Sequence, residues 1–234
     1  MKETVIGIVK LLLCILMLIF AERYYFELLA NIGLEVSNFT PLVRELMVLV
    51  LYALMFGVVY ACFAHHIKPD FNNYSRKILP NVLMSVAFFA VLVIFVWMID
   101  FLVASIANNA EIAYQGLNLS NIFNQEFDLI VLSSMIRSVI LMPLMLCFIY
   151  VLGVYDLVDS KRSGVVLTGL LAAVITAVGM SGILTTILLN VIPTFALFFA
   201  LAYIYHKNRH NIWFSAITFV LYGIFASLLI ERIT

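Results

Sequence analysis

Few residues in this chain could do chemistry, and nearly all of them sit in apolar surroundings. Arg137 stands about two turns into an apolar run that begins near Leu129. A guanidinium at that depth costs at least ~2.5 kcal/mol on insertion scales, so it needs a partner or water. Asp100, Asp128 and Glu45 are the carboxylates placed to meet it. The plain reading is an ion pair stapling two helices, or Arg137 snorkelling outward. The functional reading is a polar contact to a partner protein or a lipid headgroup.

The other reactive side chains are less suggestive. Cys14, Cys62 and Cys147 all lie inside apolar runs, without metal or disulfide spacing. Cys147 could serve as a nucleophile only with a base beside it, and no His or carboxylate falls within a helical turn of it. His206 and His210 are four apart and would share a helix face, with His65 and His66 expected on the same side of the membrane. No Cys or suitable Glu accompanies them, so they read as polar interfacial residues, with no metal and no cofactor expected. The basic loops are too short and sparse for nucleic-acid recognition.

The elements that position these groups follow from composition. The chain has 234 residues, 65% hydrophobic and 11% charged, with a mean hydropathy of +1.14. Soluble domains carry about a quarter charged residues. Apolar runs of about 18 or more recur along nearly the whole chain, which specifies membrane-spanning helices. The expected fold is all-α, a polytopic transmembrane bundle forming one domain over residues 1–234. Predicted helices run from Val5 to Phe20, Leu46 to Ala64, Val82 to Ile106 and Leu129 to Tyr155, then over 164–183, 186–205 and 212–230.

The N-terminal stretch lacks a small-residue cleavage site and reads as a retained helix. The segment HHIKPDFNNYSRKILP reads as a cytoplasmic loop, and 21–42 and 108–127 as extracytoplasmic segments. Lys2, Lys68, Arg76, Lys77, Lys161, Arg162, Lys207 and Arg209 then fall on one side, against Arg23, Arg44 and Arg232 on the other. By the positive-inside rule the N-terminus is cytoplasmic. Tyr24, Tyr25, Tyr203, Tyr205, Trp97 and Trp213 read as interfacial aromatics near helix ends. Gly153, Gly164, Gly179 and Gly182 read as sites of close helix packing or hinges.

The C-terminal two-fifths adds a resemblance. The stretch FALFFALAYIYHKNRHNIWFSAITFVLYGIFASLLI has an apolar helix, a basic turn, an Asn-Ile-Trp entry and a second apolar helix. Together with the segment beginning MPLMLCFIYVLGVYDLVDSKRSG, it resembles the core of the CAAX-protease and bacteriocin-processing (CPBP, or Abi) membrane family over residues 143–229. That family carries Pro-x-x-Glu-Glu-x-x-x-Arg, then Phe-x-x-x-His, then His-x-x-x-Asn. Here the glutamates fall at Leu146 and Cys147 and the arginine at Val151. The second motif falls near Thr176 and Met180, and the last His and Asn at Phe219 and Gly223.

Peptide hydrolysis needs a base of matched pKa and donors for the oxyanion. Leu146, Val151, Met180 and Phe219 can supply neither. The resemblance therefore implies a pseudoenzyme, with no catalytic residues, acting as scaffold or regulator of another integral or single-pass membrane protein. A cell-envelope enzyme in a bacterial membrane is the expected partner, with membrane lipids around it. The alternatives are a transporter or channel subunit, an atypical active protease relying on Cys147 or Glu45, and a bacteriocin-immunity protein.

Overall fold

A chain inside a bilayer has no water to satisfy its peptide groups, and a helix solves this by bonding every peptide within its own segment. The computed structural model describes residues 2–34, 38–110, 112, 114, 129–155, 157–158, 161–178, 180 and 184–229. Among them it has no strand, and its helices form seven rods. These are α1 (Lys2–Asn31), α2 (Pro41–Ser75), α3 (Ile78–Asn109), α4 (Leu129–Tyr155), α5 (Lys161–Val178), α6 (Leu184–Lys207) and α7 (Ile212–Leu229). α1 to α4 and α6 are long and apolar enough to cross a membrane, whereas α5 and α7 hold shorter apolar stretches, Arg162–Val178 and Ile212–Ser227. The protein is a helical membrane bundle.

α4 and α6 form the centre. In α4 61% of the apolar window is buried, against 17% in α3, whose outer face is left for lipid. One continuous core draws on all seven helices, through Leu11, Val48, Leu92, Met145, Ala172, Leu197 and Ile212 among others. Gly169 lets α5 and α6 approach closely, since a Cβ there would stand 2.9 Å from the Phe195 ring and 3.0 Å from its carbonyl oxygen.

Several helices outrun their predicted bounds. α1 continues through residues 21–31, so the first part of the expected extracytoplasmic segment is helical. The largest correction concerns α2. Thr40 accepts from the Val43 N–H at 3.4 Å and Pro41 occupies the first turn, which together set its start. At its other end the stretch expected as a loop from His65 is helical to Ser75, despite Pro69. Packing overrides polarity here: Phe63, Ile67 and Tyr74 continue one buried stripe of the helix. Only Arg76 and Lys77 are left to turn the chain into α3.

That turn is fastened by polar bonds. Asn81 donates to the Tyr74 carbonyl at 2.7 Å, and the Tyr74 and Ser85 hydroxyls bond at 3.0 Å. Thr218 of α7 donates to the Ser85 carbonyl at 3.3 Å.

Candidate functional site

The geometry of Arg137 begins with Pro143, six residues further along α4. Proline lacks an N–H and its ring crowds the carbonyl four residues back, here Val139. The helix answers by widening to a π register over Ile136–Leu141, where the Met142 N–H bonds the Arg137 carbonyl. Gly223 of α7 packs beside this stretch at ordinary van der Waals distance. A Cβ at that glycine would lie 3.7 Å from the Val139 oxygen and 3.8 Å from Pro143 Cγ. A second π stretch, Phe148–Leu152, follows one and a half turns later.

The Arg137 side chain reaches α2. Its Nε donates to Glu45 Oε1 at 3.0 Å, and its guanidinium lies 5.5 Å from the centroid of the Tyr52 ring. Glu45 leads the buried stripe of α2, followed by Val48, Tyr52, Met55 and Val59 at spacings of three and four. The pair thus ties the first half of α2 to the first half of α4. It is not sealed: the Arg137 and Glu45 side chains remain 22% and 18% exposed.

Asp100 is engaged elsewhere. It accepts a hydrogen bond from the Tyr114 hydroxyl, beyond the end of α3. Burial, and then donation to that carboxylate, push the Tyr114 phenol above its ordinary pKa. Tyr222 of α7 lies within electrostatic reach of the same carboxylate. Asp128 lies outside the described residues.

The positions that the family resemblance singles out are filled by packing. Cys147 and Val151 on α4 are fully enclosed, and Leu146 packs half-buried against the same core. Phe219 on α7 meets the Phe198 ring edge-on at 5.5 Å. Thr176 donates to its own helix at Ala172, and Met180 lies past the end of α5 with its N–H on the Ala177 carbonyl. The fold brings Leu146, Cys147, Val151 and Phe219 into one apolar core, and none of the four can hold a metal as carboxylate or imidazole. Thr176 lies in the last turn of α5 and Met180 beyond its end, apart from these four.

The Asn-Ile-Trp entry has a structural job that sequence reasoning missed. Asp70, on the extended part of α2, accepts the Ile212 N–H at 3.0 Å and so caps α7 from another helix. Asn211 donates to the Asp70 carbonyl at 2.9 Å and accepts the Trp213 N–H at 3.0 Å. The Trp213 indole donates to the Ile67 carbonyl at 3.1 Å and packs edge-on against Phe71 and Phe148. Trp213 is therefore a half-buried anchor at the start of α7. The sequence signal was present: an Asn immediately before an apolar run marks a helix start.

The histidines gather at the same end. His65 and His66 lie on α2, not in a loop, with rings 4.1 Å apart. The His206 and His210 rings are 5.5 Å apart across the α6–α7 turn, with His210 against Tyr155 and Tyr205. Among the described residues no three His, Cys, Asp or Glu side chains converge to hold a metal ion.

Comparison of the chain with protein-family models, curated proteins and solved structures gives no match.

Proposed function

We propose that this chain is a non-catalytic, CPBP-like membrane protein that acts as scaffold or regulator of another integral or single-pass membrane protein. The observation that carries the reading is the Arg137–Glu45 pair, joined at 3.0 Å yet about a fifth exposed on each side chain. In a bilayer, an accessible guanidinium and carboxylate offer interhelical hydrogen bonds to a polar group on a neighbouring helix. The packed, non-ionisable positions at Leu146, Val151 and Phe219 support a holding role over hydrolysis.

In this reading the protein spans a bacterial cell membrane several times, with its N-terminus cytoplasmic. The partner, of the cell-envelope enzyme class, contacts α2 and α4 around the pair. The test is affinity purification in mild detergent with mass spectrometry of whatever co-elutes. Wild type is compared with Arg137→Leu and with the charge-free double variant Glu45→Leu/Arg137→Leu. A stoichiometric membrane partner held by wild type and lost from the folded double variant is the expected result. The same protein eluting alone from all three would overturn it.

A transporter or channel subunit is the second reading, favoured by the two π-helical stretches flanking Pro143 in α4. It predicts solute or ion flux in proteoliposomes, and the scaffold reading predicts none.

A further inference from the structure

The end of α2 away from Glu45 carries cations that the site above does not use. α2 is 35 residues long. At 1.5 Å per residue it reaches about 52 Å, against about 30 Å of hydrocarbon, so part of it must stand in the headgroup layer. The polar stretch from His65 to Ser75 is such a part. Lys68 lies on it, and Arg76 and Lys77 make the turn into α3, all three exposed. Lys207 and Arg209, also exposed, stand at the α6–α7 turn.

Packing makes one surface of these two turns. The Asp70 carboxylate accepts the Ile212 N–H at 3.0 Å, and its carbonyl accepts the Asn211 amide at 2.9 Å. Phe71 meets Trp213, and Tyr74 meets Phe214, each with ring centroids 5.0 Å apart. Ile204, in the last turn of α6, joins the cluster of Tyr74 and Phe214. The α6–α7 turn is itself pinned. The His210 N–H bonds the Tyr205 carbonyl at 3.0 Å, and the Asn208 side chain donates to the Ile204 carbonyl at 2.7 Å.

The charge on this surface is one-sided. Residues 65–80 and 203–213 hold Lys68, Arg76, Lys77, Lys207 and Arg209 against a single carboxylate, Asp70, which already caps α7. The segment after Tyr155 is balanced in sequence, Asp156 and Asp159 against Lys161 and Arg162. Apolar side chains flank the cations: Phe71, Ile78 and Leu79 are 49%, 62% and 69% exposed. The Lys207 Nζ lies 5.5 Å from the centroid of the Tyr203 ring. Cations at headgroup level beside exposed apolar side chains match an amphiphile with a phosphate at one end and acyl chains at the other.

We propose that this face binds anionic phospholipid. The phosphodiester is held by the cations of the α2–α3 and α6–α7 turns, and the acyl chains lie against Ile78 and Leu79 at the start of α3. A bound headgroup thereby ties together the two elements that Asp70 joins.

The test uses the full chain in mild detergent, titrated with phosphatidylglycerol or phosphatidylcholine of identical acyl chains and read by native mass spectrometry. Wild type should hold phosphatidylglycerol at least about tenfold more tightly, since each cation at the membrane surface contributes about fivefold. Arg76→Gln/Lys77→Gln and Lys207→Gln/Arg209→Gln should each cut that preference by about fivefold or more. The charge-keeping variants Arg76→Lys/Lys77→Arg and Lys207→Arg/Arg209→Lys should retain it, which separates a lost cation from a lost fold. Arg23→Gln/Arg44→Gln removes two exposed cations toward the opposite end of α1 and α2 and should leave the preference unchanged. Equal affinity of wild type for the two lipids would overturn the proposal. An equal loss in the opposite-end variant, or a loss from only one of the two turns, would also overturn it. Release of bound phosphatidylglycerol by inorganic phosphate would mark a site for a soluble anion and overturn the lipid assignment.

Discussion

Truncating the Arg137–Glu45 pair one side at a time should give unequal losses. Removing one partner of a fully buried pair costs about 3–5 kcal/mol. Here each side chain is about a fifth exposed, which relieves part of that cost. Glu45→Leu leaves a guanidinium that cannot deprotonate, with the face of Tyr52 still below it. A cation over an aromatic ring recovers about 0.5–1 kcal/mol, so a net loss of about 2–3 kcal/mol is expected. Arg137→Leu leaves a carboxylate, which can take up a proton and become neutral. Its loss should be smaller, about 1–2 kcal/mol.

The double variant Glu45→Leu/Arg137→Leu removes both charges and should lie within about 1 kcal/mol of wild type, because apolar replacement of a buried pair is often neutral. The assay is reversible unfolding in mixed micelles by SDS titration, with the four proteins forming a double-mutant cycle. Two single variants within about 0.5 kcal/mol of wild type, with an additive double, would refute the reasoning. That result would mean that Arg137 reaches water or headgroups on its own.

The other predictions concern the frame around the pair. Asp70→Ala removes the cap on α7 and should destabilise by about 1 kcal/mol in the same titration, with Asp70→Asn retaining part of it. Arg209 adopts a left-handed backbone at φ 55°, which costs an L-residue about 1–2 kcal/mol against the roughly 0.5–1 kcal/mol of extra chain entropy that glycine loses. Arg209→Gly should therefore stabilise by up to about 1 kcal/mol, read as a raised unfolding midpoint. Gly169→Ala pushes a methyl against the Phe195 ring and backbone and should cost about 1–3 kcal/mol. Gly57→Ala meets nothing within 4 Å and should be neutral or stabilising by up to about 1 kcal/mol. Cys147 should resist a lipid-soluble maleimide in the folded protein and react only after unfolding, which mass spectrometry after a timed quench would show.

How much of this was legible in advance depends on where water is. A membrane helix is written in the sequence by its unbroken apolar run, because the backbone inside lipid has no other way to bond. α4 and α7 accordingly fall within a residue of their predicted bounds. The depth of Arg137 and its need for a partner could be read for the same reason.

Which carboxylate answered it could not. In a soluble protein the polar face of a helix reveals the buried one, but lipid is as apolar as the core, so both faces of α2 look alike. The stripe from Glu45 through Tyr52 to Phe63 stands out only once α4 is packed on it. The polar residues from His65 to Ser75 misled in the opposite sense. Their polarity reflects water outside the bilayer, while their helicity comes from Ile67 and Tyr74 packing inward and from Asp70 capping α7.

The sequence by itself determined a helical membrane protein with one deep cation. Tertiary packing alone decided that Glu45 faces that cation and that Asp70 caps α7. Each of these depends on contacts between helices, which an apolar run does not encode when every side of it is apolar.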